Sequence, residues 1–500
     1  MGGVHGRASH LLFPVAVVAP VPSVEPRALK TLRRALSTAD FTADGIQKLL
    51  GTEGTLLASR RRLPIHRRRA LAGDGPLGVL VSMLVLGLDH DAAEAEAALG
   101  TGTVAALDAL RLVEPVGSRL RPISRLVPHE EILIASDLRA EGGSFHVPGV
   151  QPPSTVLARL TVRRPVERAL DVGTGCGIQA ILASRHSERV VATDVSERAL
   201  AFAEFNLALN GIENVDLRRG SFLDPVEGER FGLAVANPPY VVSPESDLVF
   251  RDSGLGRDRV SEELVAALPA VLEEGGFGTV MISWIVEGEL VSRPREWAER
   301  TGCAVWLFNT TSHDALGAAE GWNRDADTPE ELEERVARWL DYYAAEGIES
   351  LAYGCAVLRR AAPVWFRSWE LPDEGMPAAG SHVERLFANG DLLQGLADEE
   401  LLGARIRLVE AAELVSRAHV EDGEWRTIEA AVALADGLGF RAGVDAPSSA
   451  LVIRLDGSRP LREVFAEAAE VVGMPADEYQ RPALVVVRSL LELGFAVPAA

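Results

Sequence analysis

The sequence predicts an α/β fold: a doubly wound, mostly parallel sheet with helices on both faces, preceded by a helical module and followed by an α+β segment. Three observations carry this. Between about residues 141 and 361, apolar runs of strand length alternate with amphipathic runs of helix length. Two of the apolar runs end in glycine- or proline-rich turns, the place where open α/β sheets bind ligands. On either side the alternation stops, which divides the 500 residues into segments 1–24, 25–140, 141–361 and 362–500.

Residues 1–24 read as a disordered extension, because the apolar run at 11–20 is broken by proline and is too short for a membrane span of roughly 20 residues. Residues 25–140 read as helices around Leu29 and Leu49, a buried helix over 77–87, and two short helices at 91–99 and 103–110. A hairpin from 112–114 and 120–122 would complete a winged-helix-like module. Its second helix carries Asp108 and no basic row, so packing or substrate positioning is expected rather than DNA contact. Residues 132–137 read as a strand leading out of the module, and His146, beside Pro148 and Gly149, reads as structural rather than as a base.

The catalytic signals follow. Ala169-Leu170-Asp171-Val172 is a strand running into Gly173-Thr174-Gly175-Cys176-Gly177 and then a helix from Ile178. Glycines let a backbone approach a ligand, and the helix start offers free N–H groups to a carboxylate or phosphate. The spacing G-x-G-x-G departs from the dinucleotide fingerprint, which disfavours NAD. Asp194 ends the next strand, where an acid can accept both ribose hydroxyls. Cys176 reads as a small filler with no base beside it. After a third apolar strand, Phe231 to Ala236, comes Asn237-Pro238-Pro239-Tyr240. The Asn237 amide oxygen and the Pro238 carbonyl can each accept one hydrogen of an NH2 group, with the Tyr240 ring against its conjugated plane.

This set resembles the class I S-adenosylmethionine-dependent methyltransferases, and within them the branch carrying Asn-Pro-Pro-Tyr, including the HemK/PrmC-type release-factor glutamine N5-methyltransferases. The resemblance covers roughly residues 147–360. It implies a seven-stranded Rossmann-like methyltransferase sheet with a reversed final strand and S-adenosyl-L-methionine as cofactor. Asp171 and the glycine turn would hold the methionine part, Asp194 the ribose, and Ser221 and Phe222 the adenine. Asn237, Pro238, Pro239 and Tyr240 would bind the acceptor, with Asn237 also close to the methyl. One departure stands out: bacterial release-factor enzymes carry a Pro-Arg-x-acid-Thr-Glu run where this chain has Gln151-Pro152-Pro153-Ser154-Thr155. Ser154 and Thr155 read as a helix N-cap, with donation to the cofactor carboxylate as the alternative.

The expected activity is N-methylation of a planar nitrogen. A protein or peptide amide, glutamine above all, is the leading acceptor; an exocyclic amine of an rRNA or tRNA base is the alternative, followed by a peptide natural product or a noncatalytic winged-helix binding module. Net charge bears on this choice. At −22 the chain would repel phosphates over most of its surface, although residues 1–72 hold 12 Lys or Arg against 4 acids, including 60–62 and 67–69. A macromolecular substrate, protein before RNA, in the cytoplasm is expected, without membrane or metal; the 3 cysteines have no metal-ligand spacing.

Residues 251–258, with glycines and paired charges, suit either a lid or a surface loop, and 329–345 reads as an amphipathic helix whose Trp339, Tyr342 and Tyr343 belong to the core. Beyond a turn-rich linker at 370–377, strands are expected at 404–408 and 449–455, then helices from 455 and over 486–493. This closing helix-turn-helix-like segment is similar in pattern to the peptide-binding PqqD-like domains.

Overall fold

The computed structural model describes residues 20–51, 63–73, 75–138, 145–245, 250–252, 255–324, 326, 328–371 and 377–499. Most of the extension at 1–24, the arginines at 60–62, part of the 251–258 segment and most of the 370–377 linker lie outside the described residues.

The amino-terminal module contains α1 (Pro26–Thr38), α2 (Ala43–Leu50), α3 (Leu63–Ala72) and α4 (Pro76–Leu80), then β1 (His90–Asp91), α5 (Ala92–Leu99), α6 (Thr101–Ala109), β2 (Val113–Val116) and β3 (Arg119–Pro122). The Glu25 carboxylate caps α1 and the Thr42 hydroxyl caps α2, each satisfying first-turn N–H groups. The run expected as one helix over 77–87 is instead a single α turn, α4, followed by a π-helical segment, Val81–Val85. All five residues of that segment are buried, so side-chain packing on every side overrides the regular ladder. β1, β3 and β2 form a small sheet, and β4 (Ser124–His129) and β5 (Ile132–Asp137) form a separate hairpin.

The central part begins with α7 (Pro152–Leu160) and continues through β6 (Val166–Val172), α8 (Ile178–Ser184), β7 (Ser187–Asp194), α9 (Glu197–Asn210), β8 (Val215–Arg219) and β9 (Phe231–Ala236). Next come α10 (Arg259–Ala267), β10 (Leu272–Ile285), α11 (Ser292–Glu299), β11 (Ala304–Asp314), α12 (Ala315–Trp322), α13 (Pro329–Ala345), β12 (Ser350–Arg359) and β13 (Phe366–Glu370). The strand order is β13-β11-β12-β10-β9-β6-β7-β8, and β12 runs antiparallel to both its neighbours, as the resemblance implied. The sheet therefore has eight strands rather than seven. β13 adds in parallel to the edge strand β11; its Phe-Arg-Ser-Trp-Glu alternation is half-polar, as an edge strand's is, and carries no buried-strand signal. From β6 the chain winds to β7 and β8 on one side, and β9 and β10 lie on the other, so the strand order reverses between β6 and β9. This is the switch point where open α/β sheets place their ligand crevice.

The carboxyl-terminal part holds α14 (Gly380–Gly395), α15 (Asp398–Gly403), β14 (Arg405–Leu408), β15 (Ala412–Glu421), β16 (Glu424–Leu434), β17 (Arg441–Gly443), α16 (Ala446–Val452), β18 (Asp456–Pro460), α17 (Leu461–Val472), α18 (Ala476–Glu492) and β19 (Ala496–Pro498). The strand expected at 449–455 is mostly helix α16, because the Asp445 carboxylate caps it through Ser448 N–H and Pro447 favours its first turn. The closing helix begins at Ala476, ten residues ahead of the expected start, and carries Pro482 inside.

Both flanking parts share cores with the sheet. Phe387 of α14 stands edge-on to Phe277 of β10, with ring centroids 5.3 Å apart. Gly380 lies so close to the Thr161 carbonyl that a Cβ would sit 2.2 Å from its oxygen. On the other side, Asn206 and Asn210 of α9 act like a strand edge toward β5: each accepts from one β5 N–H (Ala135, 2.7 Å; Leu133, 2.9 Å) and donates to the carbonyl of the same residue. Such buried amide pairs satisfy backbone that would otherwise be orphaned.

Candidate active site

The glycine turn and the Asn237–Tyr240 turn emerge side by side, since Val172 at the end of β6 is paired with Ala236 at the end of β9. Both open into one cavity of about 1360 Å³. A single small-molecule pocket typically occupies roughly 300–1,000 Å³, so there is room for a cofactor and an acceptor group together.

Gly173, Gly175 and Gly177 have φ of 69°, 54° and 85°. A Cβ on Gly173 or Gly175 would meet nothing within 4 Å, which means that these two present bare backbone to the cavity. Gly177 serves packing instead, facing Ala203 of α9 at 3.2 Å. Asp171 is buried behind the turn and does not line the cavity: its Oδ2 accepts from the Thr174 hydroxyl (2.6 Å) and from Ala180 N–H (2.9 Å). Burial pushes its carboxyl up to about 7, with the neighbouring Asp194 adding to the rise. Asp194 does face the cavity, with Oδ2 accepting from Gly175 N–H and Oδ1 from Ser196 N–H, both at 2.9 Å. Each oxygen keeps a second lone pair for a diol. Cys176 is buried at the edge of the cavity; its carbonyl accepts from Asn206 Nδ2 (2.8 Å), and burial pushes its thiol up to about 12, as suits a filler.

Ser221 and Phe222 lie on the cavity wall after β8 and are exposed. Phe222 has φ of 43°, a left-handed conformation costing a bulky residue about 1–3 kcal/mol, and its ring stays on the surface of the cavity. Strain that yields no burial points to a task for the ring.

Asn237 is half-buried on the wall, and its amide has no hydrogen-bond partner among the described residues. The Pro238 carbonyl accepts from Tyr240 N–H (2.8 Å), a tight turn that leaves it one lone pair. Tyr240 is 8% exposed, its carbonyl held by the Ser283 hydroxyl, and burial pushes its phenol well above the ordinary value. It stays neutral, so its ring acts as a surface rather than as a base.

Ser154 and Thr155 are not the N-cap of α7. That position is Gln151, with Pro152 and Pro153 in the first turn, and the Ser154 carbonyl accepts from Gln179 (2.8 Å). His146 stands 3.8 Å from Asp137, which is itself gripped by Arg198, and its ring rests against Phe250. Trp339 and Tyr343 are core residues, and the Tyr342 hydroxyl accepts from Arg257 N–H. Of the 251–258 segment, the described part is tied down: Asp252 accepts from Ser243 and Arg251, and Arg257 pairs with Glu287.

Sequence reasoning missed the wall contributed by the amino-terminal module, namely Leu63, His66, Val85, Leu86, Leu88 and Arg125. Gly87, with φ of 66°, was the one local hint of a special backbone there.

The described residues contain no group of three or more His, Cys, Asp or Glu placed to hold a metal, and no helix long and apolar enough to cross a membrane. Residues 136–283 match the methyltransferase small domain, and residues 38–123 match a domain of unknown function, DUF7059. The central part is therefore an S-adenosylmethionine methyltransferase domain, and it resembles the HemK/PrmC type. Among its relatives, the release factor glutamine methyltransferase of Xylella fastidiosa is 35% identical over 132 residues, covering 23% of this chain and 47% of that one. The ribosomal protein L11 methyltransferase of Lactobacillus johnsonii is 41% identical over 88 residues (17% and 28%). The ribosomal protein uL3 glutamine methyltransferase of Bradyrhizobium diazoefficiens is 44% identical over 79 residues (15% and 25%). The chain thus spans about half the length, or less, of these relatives.

The cofactor implied by this domain, S-adenosyl-L-methionine, fits the residues present. Bare glycine backbone, an acid with spare lone pairs beside it and an exposed ring at the next strand end are what an amino acid, a ribose and an adenine require.

Proposed function

We propose that the protein is a cytoplasmic N-methyltransferase acting on a planar nitrogen, with a protein or peptide amide, glutamine-like, as the first-ranked acceptor. The observation that carries this is the Asn237 amide, without a hydrogen-bond partner among the described residues, in the cavity that also holds the glycine cradle. An amide nitrogen is a poor nucleophile because its lone pair is delocalised. Asn237 Oδ1 and the Pro238 carbonyl accept its two hydrogens, and Tyr240 supports its plane. As the nitrogen becomes pyramidal and positive these two bonds strengthen, which lowers the barrier selectively. Bound S-adenosylmethionine would supply an electrophilic methyl group. Asp194 would orient it through the ribose, the Gly173–Gly175 backbone would receive its amino-acid end, and Phe222 would stack on its adenine. Transfer would form an N–C bond to the acceptor as the S–C bond broke, and the proton would then leave to water.

A protein acceptor is favoured by the net charge of −22 and by the glutamine-modifying relatives. The cavity lining includes Phe145 and Phe250, both exposed, which suits an apolar peptide contact. The basic residues Arg67 and Arg68 are exposed on α3, whereas Arg69 caps α2 through the Leu50 and Gly51 carbonyls. Incubation with tritiated S-adenosylmethionine and a cell lysate tests the assignment. Label that survives RNase and is lost to protease is expected; label lost to RNase would move the acceptor to RNA, and cofactor binding without any transfer would make the chain a binding module.

A further inference from the structure

Arg125 differs from three arginines that the fold pairs with acids. Arg198 forks onto Asp137, Arg251 onto Asp252, and Arg293 onto Asp258. Arg125, on β4, lines the cavity, yet its side chain donates to nothing among the described residues, and its Nε is buried without a partner. The nearest buried acid along the hairpin, Asp137 on β5, is already taken by both nitrogens of the Arg198 fork and by Val147 N–H. Burial holds the Arg125 guanidinium below its ordinary value, and no acid opposes that shift. A guanidinium left unpaired in a half-buried site is costly, and a carboxylate is its best geometric complement.

Resting on the methyltransferase reading, we propose that Arg125 is the anion-binding residue of this cavity and that it receives a carboxylate of a bound ligand. Cross-strand pairing sets Arg125 opposite Ser136, whose Oγ lies where a Cβ on Gly149 would be 2.7 Å away, and Arg125, Gly149 and Ser154 all line the cavity. Two carboxylates can reach a shared cavity of this kind. One belongs to the methionine end of the cofactor; the other is carried by the acceptor, as a chain terminus or an acidic side chain near the target amide.

Calorimetry on the full chain separates them. The first pair of ligands is S-adenosylmethionine and its decarboxylated counterpart; the second, with S-adenosylhomocysteine saturating, is N-acetylglutamine and N-acetylglutamine methylamide. With the cofactor as source, the wild type prefers the carboxylated cofactor at least tenfold, and Arg125→Met erases that preference. With the acceptor as source, Arg125→Met leaves cofactor affinity within twofold and erases a comparable preference for the free acid over the methylamide. Neither preference in the wild type, or both retained in Arg125→Met, overturns the proposal. Should that variant fail to fold, Arg125→Lys keeps the charge without the fork and must reduce the preference at least threefold; an unchanged preference overturns the proposal. Binding of both cofactors without a carboxylate preference removes only this inference, whereas a chain that binds neither S-adenosylmethionine nor S-adenosylhomocysteine sinks the methyltransferase reading as well.

Discussion

The two turns that meet at the switch point satisfy their polar groups in opposite ways. In the glycine turn, the carboxylates are occupied by the protein's own backbone and hydroxyl donors: Asp171 by Thr174 and Ala180, Asp194 by Gly175 and Ser196. What this turn offers a ligand is shape, bare backbone and a few spare lone pairs. In the Asn237–Tyr240 turn, the backbone closes on itself through Tyr240 N–H and Pro238, the ring is buried, and the Asn237 amide is left with its hydrogen-bonding capacity open. A cradle for a constant cofactor can be self-satisfied and rigid. A clamp that must bind a transition state more tightly than a ground state needs groups not already committed.

Substitutions that cross this contrast should separate the two roles. Asn237→Ala removes the open amide without touching a structural bond. Turnover by tritium transfer should fall about 10²–10³-fold, the range for losing one preorganised polar contact at developing charge, with the melting temperature unchanged; full activity in this variant would end the clamp assignment. Asp194→Asn sets an NH2 group against either Gly175 N–H or Ser196 N–H. Cofactor affinity by calorimetry should drop about 10–100-fold, as expected when a hydrogen bond to a charged group is lost.

Phe222→Gly tests strain against function at one position. Relief of the positive φ should hold or raise the melting temperature, while loss of the stacking ring weakens cofactor binding about tenfold. If stability and binding fell together, the ring would be structural. The smallest effect concerns pH. Asp171 has an ordinary value of 3.8 and is raised to about 7 in the fold, so the unfolded chain releases its proton first. The stability this group confers is complete below about 3.8 and is lost as pH rises through about 7. Asp171→Asn keeps an oxygen for Thr174 and Ala180 but cannot titrate, so between pH 5 and 6 its unfolding free energy should decline less than the wild type's by about 1 kcal/mol.

Much of the site was legible because its chemistry is local. Gly173 and Gly175 announce positive φ and close approach, Asp194 ends an apolar strand, and Asn237 to Tyr240 directly follow the six-residue run of β9. The helix Pro329–Ala345 could also be bounded from its Thr328 cap and apolar spacing. Other features have no local signature. Whether an acid beside a glycine turn faces the ligand or the helix behind it depends on rotamer and packing, and Asp171 turned inward. β13 is recruited by the open edge of β11 and not by its own composition. Residues 449–455 contain an apolar run that suits a strand or a buried helix equally, and the Asp445 cap decided for the helix.

The sequence by itself determined the order of strands and turns, the glycine cradle and the amide-bearing turn, because each is written in a few adjacent residues whose conformations are restricted by sterics. Only the tertiary structure decided what surrounds them. The cavity wall from the amino-terminal module, and within it Arg125, comes from residues separated from Asn237 by more than a hundred positions. They meet because the buried faces of β5 and α9 must cover one another, with Asn206 and Asn210 satisfying the strand edge between them, and that is a requirement of packing which no local pattern records.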